Sequence, residues 1–202
     1  MGKDRSVLLP YRSVKPDQPI YPGGDCGACC LSSILNIPHQ SVYDLKGEVH
    51  PIRASEIIDM CEKFNFLYND APPKMSRSSR FIFRQVNSFG FPGYKNALNW
   101  WDNMRRFLSK GYVGMSQVAH NRDGHITGQT DHWVLIVGFK ETWTPIYSNE
   151  DGKFLGSSRN DIVVISCSAT GGLYEEEKEE FLKFRGGYNT IYIKPKHNEP
   201  AI

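Results

Sequence analysis

The chain has 202 residues, which is enough for one well-packed domain and short for two. Its formal net charge of +2 at pH 7 gives no electrostatic reason to expect nucleic acid as the main ligand. No apolar run approaches the roughly 18 to 20 residues of a membrane span, and Met1–Ser6 lacks the apolar core of a secretory signal. We therefore expect a single domain over residues 1–202, with a core of about 18–193, in the cytoplasm or exported without a cleavable signal peptide.

The first predicted element is a helix that begins at Cys26. Prolines and glycines are frequent in residues 1–24 and predict an irregular approach, while the small apolar residues after Cys26 favour a helix that ends before the next proline. A thiol at the start of a helix lies near unpaired backbone N–H groups, which stabilise a thiolate and lower the thiol pKa. We expect Gly23, Gly24 and Gly27 to leave room for a substrate backbone. The alternative is a buried structural cysteine.

Apolar spacing predicts two more helices and then a series of strands. The helices are expected at 54–64 and 97–108. The strands are expected at 113–119, 133–139, 162–167 and 190–193. We interpret 141–159 as a long hairpin loop and the acidic run 175–180 as the solvated face of a helix. The predicted fold class is therefore α+β, with N-terminal helices packed on a C-terminal antiparallel sheet and one site at their interface.

The five cysteines are expected to be reduced thiols. Cys26, Cys29 and Cys30 crowd together, and adjacent cysteines are poor material for a disulfide framework. The spacing Cys26-x-x-Cys29 resembles half of a zinc site, but Cys61 and Cys167 are isolated and supply no second pair. We expect neither a metal nor a cofactor.

His132 is the candidate partner of the Cys26 thiol. It lies at the start of an uninterrupted apolar run that predicts a buried strand. A strand can hold an imidazole beside a helix-borne thiol, which is the nucleophile-plus-base arrangement of thiol chemistry. A structural histidine is the alternative. His120 and His125 lie in the polar stretch before it, and we expect them to contact substrate rather than to act as the base.

Two short segments resemble those of the papain-like cysteine peptidases. The run Cys26-Gly27-Ala28-Cys29 matches the first four positions of the papain signature and departs at Cys30, where the signature has an aromatic residue. Asp25–Leu31 and His132–Gly138 together resemble still more closely the bacteriocin-leader (double-glycine) peptidase branch of that superfamily.

This resemblance implies a fold and a set of roles. The fold is papain-like, Cys26 is the nucleophile and His132 transfers the proton. The oxyanion hole is made by the Cys26 backbone N–H and by the side chain of Gln18, the only glutamine upstream of the cysteine.

The third catalytic position is where the chain departs from the family. The resemblance implies an Asp or Asn at the end of the next strand, where it orients the histidine. The matching position falls near Cys167, where neither a carboxylate nor an amide is present. Ser166, Ser168 and Asp161 are the other candidates, and a Cys–His dyad without an orienting residue is the alternative.

The leading hypothesis is a free-standing cysteine peptidase of the bacterial or phage effector or toxin type, with a protein or peptide as its substrate. Deamidation, transglutaminase-like transfer and cleavage of cell-wall amides are alternatives on the same dyad. A non-catalytic papain-like binding module is the alternative from another class, and the presence of both Cys26 and His132 argues against it.

Overall fold

The computed structural model describes residues 2–13, 15–21, 24–64, 66–69, 94–118, 132–182 and 186–195. Three residues with roles expected from the sequence lie outside these ranges: Gly23, His120 and His125.

Five helices and seven strands are found in the described ranges. The helices are α1 (Cys26–Leu35), α2 (His39–Lys46), α3 (Ala54–Lys63), α4 (Tyr94–Leu108) and the single turn α5 (Lys178–Glu180). The strands are β1 (Arg5–Leu8), β2 (Phe66–Asn69), β3 (Val113–Val118), β4 (His132–Tyr147), β5 (Phe154–Cys167), β6 (Gly172–Glu177) and β7 (Gly186–Pro195).

The strands form one antiparallel sheet in which β4 is central. The order is β2–β7–β3–β4–β5–β6, and β1 pairs with β4 off this path. β3 pairs with the first residues of β4. β1 pairs with β4 at 138–141, beyond the residues that pair with β3. β5 pairs with β4 from the Leu135–Ser166 pair onward. The start of β4 therefore lies beside the end of β5.

Helices cover both faces of this sheet, because the apolar side chains of β4 alternate between two cores. Trp133, Leu135 and Val137 belong to the core formed with α1, α2 and α3. Val134 and Ile136 belong to the core formed with α4 and β5. β4 is therefore buried on both sides, which explains its continuous apolar run.

The α+β class is confirmed, with mixed helices and an antiparallel sheet. The predicted helices at 54–64 and 97–108 correspond to α3 and α4. As predicted, α1 ends before Pro38. Its C-cap is Asn36, whose φ of 54° lies in the left-handed region. α4 packs on the opposite face of the sheet from α1.

Three local predictions are wrong in whole or in part. Residues 1–24 are not wholly irregular, because β1 pairs with β4. Residues 141–159 form the two arms of a long hairpin rather than a loop, since β-branched and aromatic residues on the first arm favour strand. The first half of the acidic run 175–180 is strand, because 172–177 pairs with β5, and only Lys178–Glu180 is helical. Pairing with a neighbour decides the structure of these segments, and each segment by itself gives little sign of it.

In the described part of the chain, no helix is both long enough and apolar enough to cross a membrane.

Candidate functional site

The start of α1 is organised by the buried carboxylate of Asp25. Its Oδ2 accepts a hydrogen bond from the backbone N–H of Ile20 at 2.5 Å. Its Oδ1 accepts hydrogen bonds from the backbone N–H of Tyr21 at 2.9 Å and from the hydroxyl of Tyr43 at 2.7 Å. Asp25 therefore ties the preceding segment and α2 to the first turn of α1. Sequence reasoning used Asp25 only as part of a motif and missed this role.

The two described glycines of the motif serve local structure. Gly24 has a φ of 101° and open space around it, so its backbone conformation favours glycine. A Cβ on Gly27 would lie 2.7 Å from Cβ of Ile52 and 3.2 Å from Cδ1 of Trp133. The space beside Gly27 is therefore filled by the protein's own side chains, and the expectation that it leaves room for a substrate backbone is wrong.

Cys26 lies at the first position of α1 and reaches the start of β4. Its Sγ is half-buried and accepts a hydrogen bond from the backbone N–H of Trp133 at 3.4 Å. The indole of Trp133 in turn donates to the carbonyl of Ile52 at 3.0 Å. Two segments that are 107 residues apart in sequence therefore meet at the Cys26 thiol.

The pKa of Cys26 moves in the direction opposite to the one expected from its helix position. Burial raises this pKa, and the neighbouring Cys167 adds to the effect. Hydrogen bonds from the backbone of Trp133 and Gly27 act in the lowering direction but are outweighed. The resting thiol is therefore neutral near pH 7, and it needs a base in order to react.

His132 is held at the end of the sheet by Cys167. It is the first residue of β4 and is 6% exposed. Its Nε2 lies 3.0 Å from Sγ of Cys167, the last residue of β5. The pairing of β4 with β5 brings these two side chains together. The Cys26 thiol is hydrogen-bonded to Trp133, the residue after His132, so it also lies at the start of β4.

The other candidates for the third position have different surroundings. Asp161 lies opposite Glu141 in the β4–β5 pairing, and six residues of strand, about 20 Å, separate it from Cys167. Ser166 accepts a hydrogen bond from the backbone N–H of Ser13 at 2.8 Å. Ser168 is buried just beyond β5. Cys167 is therefore the candidate that the structure places against the imidazole of His132.

Gln18 is exposed in the segment before α1. It lies two residues before Ile20, whose N–H is bound by Asp25. The segment that carries Gln18 is thus anchored at the start of α1, on the same end of the helix as Cys26.

Cys29 and Cys30 are structural thiols. Burial raises the pKa of Cys29 to about 12, and it raises that of Cys30 well above the ordinary value. The thiol of Cys30 lies 3.6 Å from the carbonyl oxygen of Trp133, to which it donates. Cys29 and Cys30 are 3% and 0% exposed, whereas Cys26 is half-buried, so Cys26 is the most accessible of these three thiols. In the ranges that the structure describes, no three or more metal-ligating side chains cluster in a way that could hold a metal ion.

The site thus joins a half-buried thiol, a buried imidazole and a second thiol at the meeting point of α1, β4 and β5. Such a set can attack an electrophilic carbon and transfer a proton. Comparison of the chain with known protein families, with curated proteins and with solved structures gave no match.

Proposed function

We propose that the protein is a papain-like cysteine peptidase that hydrolyses amide bonds in a protein or peptide substrate. Cys26 is the nucleophile, His132 transfers the proton and Cys167 orients His132. The observation that supports this most strongly is the double contact at the start of β4. His132 bonds Cys167 through its side chain, and the next residue, Trp133, donates its backbone N–H to Cys26.

The reaction is assigned to the ring nitrogens of His132 from the contact with Cys167. Nε2 lies against Cys167, and we assign to Nδ1 the proton of Cys26, which it receives as Sγ attacks the carbonyl carbon. The C–N bond then breaks, and the leaving amine takes that proton from His132. Water attacks the resulting thioester, gives its proton to His132 and restores the Cys26 thiol. Because the pKa of Cys26 is raised, proton transfer accompanies the attack and no stable thiolate precedes it.

The developing oxyanion needs donors at the start of α1. The first N–H groups of a helix have no partner within the helix and point toward such a site. The backbone N–H of Cys26 is one of these, and the exposed side chain of Gln18 is the proposed second donor. The bonds from Asp25 to Ile20 and Tyr21 support this role, because they hold the segment of Gln18 near α1.

A non-catalytic binding module is the second candidate, and one observation favours it. The pKa of Cys26 is raised by burial, whereas many nucleophilic cysteines have a lowered pKa. The two candidates differ in whether His132 increases the reactivity of Cys26. A peptidase needs this assistance, and a binding module does not.

The test is a proteome-wide cleavage assay with the wild-type protein and the Cys26→Ala variant. We expect new peptide termini with the wild-type protein and none with Cys26→Ala. Cys61→Ala is the matched control, since it removes a buried thiol of α3 that belongs to no proposed site and should retain cleavage. Cleavage that persists in Cys26→Ala, or that is lost only in Cys61→Ala, would contradict the assignment.

A further inference from the structure

A second feature of α1 is a pocket that begins one helical turn beyond Cys26. Its volume is about 240 Å³, and it is lined by Arg12, Pro16, Cys29, Ser32, Ser33 and His39. Cys29 follows Cys26 by three positions and therefore lies on the same side of the helix. The volume is below the roughly 300–1,000 Å³ of pockets for drug-sized ligands, so it suits one side chain or a chain terminus.

Arg12 lines this pocket, and its guanidinium is fixed by the neighbouring backbone. Its Nη1 donates to the carbonyl oxygens of Leu9 and Tyr11, each at 2.7 Å. Nε and Nη2 have no hydrogen-bond partner among the residues that the structure describes. An Arg side chain with one nitrogen anchored and two free presents a pre-oriented, permanently positive donor.

The two serines of the lining differ in what they offer. The hydroxyl of Ser33 accepts a hydrogen bond from the backbone N–H of Arg12 at 2.9 Å, so its own O–H can donate. The hydroxyl of Ser32 already donates to the carbonyl of Ile37 at 2.5 Å. Cys29 remains a protonated thiol because burial raises its pKa to about 12. Donors therefore outnumber acceptors in the lining.

The lining of the pocket contains no acidic residue, and the buried Asp25 beside His39 leaves its positive character in place. Asp25 Oδ2 lies 3.9 Å from Nε2 of His39, on the wall of the pocket. The Asp25 carboxylate is only 1% exposed and already accepts hydrogen bonds from Ile20, Tyr21 and Tyr43. A ligand in the pocket therefore meets the charge of Arg12 and the hydroxyl of Ser33 rather than an exposed carboxylate.

We propose that this pocket binds a carboxylate of the substrate, either an acidic side chain or a free C-terminus. The inference rests on the proposed peptidase function, and it makes the pocket the part of the site that selects which amide bond is presented to Cys26. Arg12 supplies the charge and Ser33 a second hydrogen bond.

The binding is tested without catalysis, by following the backbone amide signals of Cys29 and Ser33 in NMR titrations. N-acetylglutamic acid α-amide offers a side-chain carboxylate, and N-acetylglycine offers a terminal one. N-acetylglutamine α-amide and N-acetylglycinamide are their uncharged counterparts. We expect saturable shifts at both residues with at least one of the acids and none with its uncharged counterpart, and the responding acid identifies the source of the carboxylate.

Arg12→Gln should weaken this binding at least tenfold, and Arg12→Lys should retain part of it. Arg5→Gln is the matched control, because it removes the same charge from exposed β1 and should leave the titration unchanged. No shift with either acid, or equal shifts with the acids and their amides, would overturn the proposal; this contrast holds in the wild-type protein even if Arg12→Gln does not fold. A protein that binds the acid but cleaves nothing would refute the peptidase function alone.

Discussion

Strand β5 carries two buried titratable groups with opposite surroundings. Asp161, in its middle, is paired with Arg159 Nη2 at 2.5 Å and with Lys178 Nζ at 2.8 Å. Cys167, at its end, faces the imidazole of His132. Asp161 is neutralised by two cations, whereas Cys167 belongs to a cluster that includes the half-buried thiol of Cys26. Burial alone therefore does not mark a functional group, and the partners that a buried group has are more informative.

The charged cluster around Asp161 is wider than one pair. Glu141, which lies opposite Asp161 in the sheet, is hydrogen-bonded by Arg105 of α4. The hydrogen bond with Asp161 raises the pKa of Arg159. These contacts connect α4, β4 and β5 at a distance from the start of β4, so their role is to hold the fold together.

The difference between the Cys167 end of β5 and the Asp161 cluster is tested most strongly by His132→Gln. This change removes the proton-transfer group while keeping a side chain of similar length, and we expect turnover to fall about 10²- to 10⁴-fold. The free energy of unfolding should change less than it does when the Asp161 cluster is broken. Turnover on a substrate found in the cleavage assay, together with denaturant unfolding, measures both. Undiminished turnover would remove His132 from the mechanism.

The reverse pattern is expected for Asp161→Ala. This change leaves the ammonium of Lys178 and the guanidinium of Arg159 without their shared partner. Loss of one partner from a buried ion pair costs about 3 to 5 kcal/mol, and the partial exposure of Arg159 places the expected loss near 3 kcal/mol. The folded fraction should keep its turnover. A stable variant with impaired turnover would show that the two regions are coupled.

Gly27→Ala tests the packing of α1 on β4. The added Cβ would collide with Ile52, and we expect the free energy of unfolding to fall by about 1 to 3 kcal/mol. Gly172→Ala is the control, since nothing lies within 4 Å of a Cβ there. Equal stability of the two variants would contradict the close contact of α1 with Ile52.

The smallest expected effect is at Cys167, as a positioning residue. Cys167→Val removes the partner of Nε2, so turnover should fall about tenfold, in line with the roughly 1.4 kcal/mol of a single hydrogen bond. The acid limb of the pH–rate profile should also move to lower pH, because the imidazolium loses a stabilising contact. Cys167→Asn should rescue both, since its amide oxygen can accept the N–H. A shift in stability without a change in the pH profile would indicate packing alone.

The parts of the fold that the sequence predicts are those with a buried face. α3 and α4 have apolar residues at the helical period, and the start of β4 is a continuous apolar run, so these patterns identify them. The arms of the β4–β5 hairpin beyond Glu141 contain no buried residue, so no apolar run marks them as strand. Likewise 175–177 is strand because β5 pairs with it, although three consecutive glutamates favour a solvated segment.

The candidate site shows the same limit. The residue types and local elements of Cys26 and His132 are readable from the sequence, and so is the departure at Cys167. The raised pKa of Cys26 is not readable, because it depends on burial by elements far away in the chain. The carboxylate bonds of Asp25 and the pocket beside Cys29 are equally products of tertiary packing.

The most direct test is the alkylation rate of Cys26 by iodoacetamide in the wild-type protein and in His132→Gln, followed by mass spectrometry from pH 6 to 10. Burial raises the pKa of Cys26 above the ordinary thiol value of 9.0, so without assistance little thiolate forms near neutral pH, and His132→Gln should be alkylated slowly there and faster only as the pH rises. With His132 as base, the wild-type protein should be alkylated at least tenfold faster than the variant at pH 7. Equal rates across the whole range would show that His132 does not activate Cys26, and would contradict the peptidase account in favour of a binding module.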